Sequence, residues 1–309
     1  MKHFINLKDI PSKDLRKIIT DAKKRKSSRN KLSNLDADKG EPLKGKLLIQ
    51  MFEKSSLRTR LSFYLAIKQL GGSTLTLRPD ELHLSKGGES IEDTAKILSN
   101  FGNAFMFRTD SDKKLQEFKK YISIPIINGL SPSSHATQVL SDIFTVEEIK
   151  KKTISKLNIS WIGDSNNVLN SLIAASIKFS FKLNIGCPKK YRPNKNILSY
   201  IKNNKNKISF YINAKKAATG ADVIFSDKVI SMNDKVNKIR KLNHFKKFRI
   251  DKKLMKSAKK DCTFLHCLPR GKEVDEKVFS SKQSKVWQQA LNRVHVQKSI
   301  LLYCFGRLR

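Results

Sequence analysis

Ser56, Arg58 and Thr59 fall within the short stretch Phe52-Glu53-Lys54-Ser55-Ser56-Leu57-Arg58-Thr59-Arg60. Two hydroxyls and a planar guanidinium at this spacing supply donors shaped for phosphate oxygens. The stretch follows an apolar run, 47–51, that reads as a buried strand. It precedes 61–67, which reads as a helix ending at Gly71-Gly72. A strand-to-helix turn directs free N–H groups and the positive end of the helix dipole toward an anion. This is not a Walker A loop, because the glycines and the Lys-Ser/Thr pair are missing. Taken alone, the same residues also fit a capped helix start with solvated charges.

Other chemistry-bearing residues follow strand-like runs. Arg108 closes Ala104-Phe105-Met106-Phe107-Arg108; a lone arginine at a strand end is also an ordinary surface ion-pair partner. His135 and Gln138 are three residues apart, so a helix starting there sets both on one face of its first turn. Two such donors beside an anion site could polarise a carbonyl oxygen; alone they equally fit a capping histidine and an exposed glutamine. Gly163-Asp164-Ser165-Asn166-Asn167 has the look of a nucleotide-type turn without a GxGxxG fingerprint. Asp227, followed by Ser231-Met232, places a carboxylate and a hydroxyl after another strand, and singly Asp227 reads as a cap. His266-Cys267-Leu268-Pro269-Arg270 is more specific. It sets a thiol, backbone carbonyls and a fixed proline turn at one rim.

The elements that must position these residues alternate. Strand-like runs at 47–52, 104–107, 124–127, 159–162, 182–185, 223–225 and 263–266 are separated by amphipathic segments such as 92–101 and 169–179. Such alternation predicts an α/β protein of two domains, each with a central parallel sheet flanked by helices. The 309 residues are enough for two cores. Ser131-Pro132-Ser133-Ser134 supplies cap residues for a helix over 136–150 that links the halves. We place the domains at 1–138 and 139–281, with a final helix over about 282–302 packing back on the first. Ligands should then sit at the carboxyl ends of the strands.

Composition bounds the classes. The formal net charge is +36, which would suit a nucleic-acid binder. The lysines run from Lys2 to Lys298 without one block, and no aromatic residues interleave as a stacking platform. We therefore read the charge as a lysine-rich surface of the kind codon bias produces, one that still raises encounter rates with small anions. No apolar run approaches about 18 residues, and Met1-Lys2-His3-Phe4 opens into polar sequence, so neither a membrane span nor a signal peptide is expected. Cys187, Cys262, Cys267 and Cys304 form no CxxC pair. They read as reduced thiols of a cytoplasmic protein, and no metal site is expected.

Taken together and in order, these segments closely resemble the aspartate/ornithine carbamoyltransferase family, on its ornithine-using branch. The likeness runs from about Phe4 to Leu302 and includes Phe52–Arg60, His83-Leu84-Ser85-Lys86-Gly87-Gly88-Glu89-Ser90, Arg108, His135–Gln138, Gly163–Asn167, Ser231-Met232, His266–Arg270 and Asn292-Arg293-Val294-His295. The resemblance implies one domain for carbamoyl phosphate and one for the amino acid, in a homotrimer with active sites at subunit interfaces. It implies that Ser56, Leu57, Arg58 and Thr59 hold the phosphate. Arg108, His135 and Gln138 would hold the carbamoyl group, with Arg293 closing on it and His83 reaching in from the neighbouring subunit. Asn167, Asp227, Ser231 and Met232 would bind the α-amino and α-carboxylate groups of ornithine. Cys267 and Leu268 would take its side-chain amine. Arg108, His135 and Cys267 would be catalytic, with no metal and no cofactor, since the acyl donor is already activated. Rival acceptors are acetylornithine, putrescine and aspartate, and a further alternative is a weakly active relative with an interaction role. Three positions depart from the family pattern: Leu57 for a small or hydroxyl residue, Asn233 for glycine, and Ala136 for proline.

Overall fold

The computed structural model describes residues 1–78, 88–204, 207–230 and 237–308. The chain forms two compact units, one of residues 1–144 and 291–309, the other of 145–290. The first contains α1 (Ser12–Ser27), β1 (Leu47–Phe52), α2 (Leu57–Gln69), β2 (Ser73–Leu77), α3 (Ile91–Phe101), β3 (Ala104–Arg108), α4 (Asp112–Tyr121), β4 (Ile126–Leu130) and the start of α5 (Ala136–Lys150). The second contains β5 (Asn158–Ile162), α6 (Asn167–Phe179), β6 (Lys182–Gly186), α7 (Lys195–Asn203), β7 (Ile208–Tyr211), α8 (Ala214–Ala218), β8 (Val223–Ser226), α9 (Lys238–Phe245), α10 (Lys252–Met255), β9 (Thr263–His266) and α11 (Glu276–Phe279). The last helix, α12 (Val286–Cys304), crosses from the second unit into the first.

The first sheet has order β2-β1-β3-β4 and the second β7-β6-β5-β8-β9, and every pairing is parallel. The central strands Leu47–Phe52 and Ala104–Arg108 are buried along nearly their whole length. That is why they are continuous apolar runs and not alternating ones. Beneath the first sheet, the rings of Phe105, Phe107 and Phe118 lie 5.2–5.5 Å apart.

Three sequence expectations are corrected here. Strands β2 and β7 were not foreseen. Both lie at sheet edges and are only partly buried; three of the five residues of β2 carry hydroxyls, and β7 is a run of only four. The strand expected at 124–127 runs instead over Ile126–Leu130. Pro125 cannot donate to a ladder, and pairing is completed by Phe4, which donates to the Ile126 carbonyl at 2.9 Å and accepts from Asn128 N–H at 2.8 Å. The final helix begins at Val286 and not near 282.

Within the first unit, the end of α12 is held by a buried ion cluster. Lys298 Nζ lies 3.0 Å from both Asp38 carboxylate oxygens, and Arg29 Nη1 donates to Asp38 at 2.6 Å. Ser299 donates to Asp21 on α1 at 2.6 Å. Burial works against the Asp38 charge, yet Lys298 and Arg29 hold its pKa below the ordinary carboxylate value. Its contribution to stability is therefore present above the unfolded carboxylate pKa of about 4 and is lost as pH falls through the lower folded value. Asp38→Asn leaves the Lys298 ammonium buried against a neutral group. We predict a loss of about 3–5 kcal/mol at pH 7 in urea unfolding. Below pH 4 the gap between variant and wild type should narrow.

Candidate functional site

In the first unit, the anion-shaped turn folds as its residues require. Ser56 is extended and caps α2, its hydroxyl accepting from Thr59 N–H at 3.4 Å. The cap aims the first N–H groups of α2 outward from the carboxyl end of β1. Thr59 is fully buried, whereas Leu57 is 71% exposed. Arg108 ends β3 opposite Phe52 in the parallel register, so it stands beside this turn. His135 precedes α5, its carbonyl accepting from Gln138 N–H at 3.1 Å and Val139 N–H at 3.2 Å.

Arg293 joins these pieces. Its Nη1 donates to Gln138 Oε1 at 3.0 Å and its Nη2 to Thr59 Oγ1 at 2.8 Å. Gln138 in turn donates from Nε2 to Asp142 at 2.8 Å, which fixes the orientation of its amide. Arg293, Gln138 and His135 are all buried. Burial above all, then the guanidinium groups of Arg293, Arg108 and Arg58, push the His135 pKa well below its ordinary value. The imidazole is therefore neutral at pH 7 and keeps one N–H for donation to an oxygen. A neutral donor ringed by three cations suits a substrate that brings two negative charges and develops a third on a carbonyl oxygen.

In the second unit the candidate residues meet around Asp227, just after β8. Asn166 Nδ2 donates to Asp227 Oδ2 at 2.6 Å, and Cys267 Sγ donates to Asp227 Oδ1 at 2.9 Å. Asp227 is thus not the helix cap its sequence position suggested. The cap of α6 is Asn166, which accepts from Val168 N–H and Leu169 N–H at 3.0 and 3.1 Å. Gly163 permits the turn between β5 and α6, at a φ of +151° that side chains rarely adopt. Across that turn Lys241 pairs with Asp164 at 2.6 Å, both largely buried.

The Cys267-Leu268 rim is set by His266. Leu268 N–H donates to His266 Nδ1 at 2.9 Å, so the ring proton sits on Nε2, which donates to Glu273 at 3.1 Å. Burial would raise the Glu273 pKa, but the bonds from His266 and Gly271 N–H hold it below the ordinary value. Leu268 lies at φ +57°, a left-handed position for a bulky residue. The surrounding His266–Glu273 bonds keep it there.

Of the residues picked out by sequence, the structure gathers Ser56, Leu57, Arg58, Thr59, Arg108, His135, Gln138 and Arg293 in the first unit. Asn167, Asp227, Cys267 and Leu268 fall at strand ends of the second. His83, Ser231 and Met232 lie outside the described residues. Sequence reasoning missed Asn166, Asp142, Glu273 and the Lys241–Asp164 pair. Asn166 carried a usable signal, an Asn before an apolar helical run. Asp142 carried one too, four residues after Gln138 on one helix face; Glu273 meets His266 seven residues away, and only the Lys241–Asp164 pair is a contact across the fold. Among the described residues no cluster of three metal-ligating side chains occurs.

Comparison with known proteins matches the chain to two adjoining family profiles. The profile described as aspartate/ornithine carbamoyltransferase, carbamoyl-P binding domain, covers residues 2–148. The profile described as aspartate/ornithine carbamoyltransferase, Asp/Orn binding domain, covers 155–304. The ornithine carbamoyltransferase of Rhizobium meliloti is 41% identical over 307 residues, 99% of each chain. That of Agrobacterium fabrum is 39% identical over 307 residues, 99% of this chain and 98% of the relative. Among solved structures, the anabolic ornithine carbamoyltransferase of Campylobacter jejuni superposes with a TM-score of 0.90 at 35% identity, covering 99% of this chain and 100% of that one. The Pyrococcus furiosus ornithine carbamoyltransferase also reaches 0.90 at 35% identity, covering 97% and 96%.

The His135 environment carries a pH signature. Between the depressed folded pKa and the unfolded value of about 6.5, the unfolded chain binds a proton that the folded chain refuses. This single group should therefore cost stability as pH falls below about 6.5. Urea unfolding at pH 7.5 and pH 5.0 should show a larger acid loss for wild type than for His135→Gln. In an NMR titration the His135 ring signals should stay unshifted down to pH 5.5.

Proposed function

The chain belongs to the aspartate/ornithine carbamoyltransferase family, and on that premise we propose how its residues carry out the reaction. The protein transfers the carbamoyl group of carbamoyl phosphate to the side-chain amine of L-ornithine, giving L-citrulline and phosphate, a step of arginine biosynthesis. A C–N bond forms, the C–O bond to phosphate breaks, and the amine gives up a proton. The observation that carries this reading is the buried Arg293 fork, which joins Gln138 to Thr59 at the head of α2, where Arg108 also ends its strand.

Ser56, the Leu57 backbone N–H, Arg58 and Thr59 bind the phosphate at the head of α2, where charge-assisted bonds are strongest. Arg108, His135 and Gln138 take the carbamoyl group, and Arg293 braces both Gln138 and Thr59. As the amine attacks, negative charge grows on the carbamoyl oxygen. Preorganised donors from Thr59, Arg108 and His135 stabilise it without reorganisation. Holding the two reactants aligned supplies a further large share, up to roughly 7–11 kcal/mol in favourable cases.

On the acceptor side, Asp227 attracts the α-ammonium of ornithine. Asn166 and Cys267 hold its carboxylate in place while lone pairs on both oxygens stay available. Asn167, Ser231 and Met232 complete the α-amino and α-carboxylate contacts, and Cys267 and Leu268 receive the side-chain amine. That amine, with an ordinary pKa of about 10.4, is roughly a thousandfold too protonated at pH 7. A desolvated site near the arginine cations lowers that pKa.

We assign a homotrimer with shared sites, His83 reaching in from the neighbour. The support is a set of exposed apolar side chains on the first unit. Leu57, Leu61 and Tyr64 are exposed at i, i+4 and i+7 on α2, Leu75 is exposed on the edge strand, and Phe101 is 77% exposed at the end of α3. Such apolar exposure marks a contact surface, and it accounts for a leucine at position 57. No helix among the described residues is long and apolar enough to cross a membrane. All four cysteines are free thiols, which supports a cytoplasmic location.

Three outcomes are expected. Wild-type protein should form citrulline from ornithine with a kcat/KM well above that for aspartate, acetylornithine or putrescine, and the rate should rise above neutral pH. Asp227→Asn should lower kcat/KM for ornithine by roughly one to three decades with carbamoyl phosphate binding nearly unchanged. Mixing inactive His83→Ala and Arg108→Ala chains should restore some activity through hybrid interfaces. A fully active monomer in light scattering would contradict the trimer.

A further inference from the structure

The Glu53 side chain is 11% exposed beside the anion site, yet the reaction as derived gives it no task. Its carboxylate makes three bonds. Oε2 accepts from Thr109 Oγ1 at 2.5 Å and from Asp110 N–H at 3.1 Å, and Oε1 accepts from Lys114 Nζ at 2.6 Å. Its backbone N–H donates to the Arg108 carbonyl at 2.9 Å. Burial would raise its pKa, but the bonds from Lys114, Thr109 and Asp110 hold it below the ordinary value, so it stays a carboxylate at neutral pH.

The location of these bonds matters. The pairing of β3 with β4 shifts register between Phe107 and Arg108. A register shift re-aims a strand-end side chain. Arg108 stays paired to Phe52 of β1, and past the shift Thr109 N–H donates to the Leu130 carbonyl at 3.0 Å, so the sheet fixes the strand-end backbone on both sides. Glu53 adds a side-chain grip on the two residues after Arg108 from a position three residues before Ser56. One side chain thus spans the two halves of the anion site, the turn at the head of α2 and the end of β3. Lys114 neutralises the carboxylate, so the clamp does not repel a dianionic substrate.

We propose that Glu53 is a positioning residue, setting Arg108 against the Ser56–Thr59 turn so that both engage the same carbamoyl phosphate. This rests on the carbamoyl-transfer reading above. A Gln at 53 can still accept from Thr109 and Asp110, whereas an Ala cannot. In calorimetric titration of carbamoyl phosphate without ornithine, Glu53→Ala should bind about 10–100-fold more weakly than wild type, the scale of an ångström-level misplacement. Its KM for ornithine should stay within about twofold, and Glu53→Gln should return binding to within about threefold of wild type. Thr109→Val, which removes the clamp bond together with the bond that the same hydroxyl accepts from Ser111 N–H, should weaken binding by about 3–10-fold. It decides the matter if Glu53→Ala does not fold. Unchanged carbamoyl phosphate binding in Glu53→Ala or Thr109→Val would overturn the proposal. So would a Gln variant as weak as Ala, or an equal loss in ornithine KM. Wild type that binds carbamoyl phosphate but makes no citrulline would instead overturn the functional reading and leave the clamp standing on its binding data.

Discussion

The first unit depends on one buried guanidinium. Arg293 reaches from α12 to Gln138 on α5 and Thr59 on α2, residues 155 and 234 positions away in the chain. A charge this deeply buried is costly unless its donors are well met, and here the planar fork meets an amide oxygen and a hydroxyl. The contact obliges three helices to keep one arrangement, because any drift would strand the charge. The Asp38–Lys298–Arg29 cluster, five residues further along α12, reinforces the same constraint from the other side. Arg293 also acts on His135: burial first, then the charges of Arg293, Arg108 and Arg58, hold the His135 pKa well below its ordinary value.

The second unit holds its carboxylate with neutral donors. Asp227, just after β8, takes hydrogen bonds from Asn166 and Cys267. The buried Lys241 is instead committed to Asp164 on the neighbouring turn. On the proposed reading, positive charge at the phosphate turn of one unit and a carboxylate held by neutral groups in the other divide the two substrates by charge.

The net charge of +36 has a modest place in this account. The cations at the anion site are few, and they are arginines: Arg293 is buried, Arg58 and Arg108 are half-buried. The lysines that dominate the composition are largely on the surface, where screening limits them to raising encounter rates. Lys298 and Lys241 are exceptions, buried against Asp38 and Asp164.

The sequence by itself determined the alternation of buried strands and helices, because central parallel strands need apolar residues on both faces and so leave continuous runs. It also determined the local anion turn, since Ser56, Arg58 and Thr59 act through a cap and a helix end that are formed within a few residues. The edge strands β2 and β7 escaped it: three of the five residues of β2 carry hydroxyls, and β7 is only four residues long. Tertiary structure alone decided what Asp227 and Glu53 bind, since their partners Asn166 and Lys114 each lie 61 residues away along the chain. It also decided the protonation of His135, whose neutrality comes from burial and from arginines on three separate elements. Short-range capping and burial patterns are written in neighbouring residues. Electrostatic roles depend on inverse distance in space, which the order of residues does not encode.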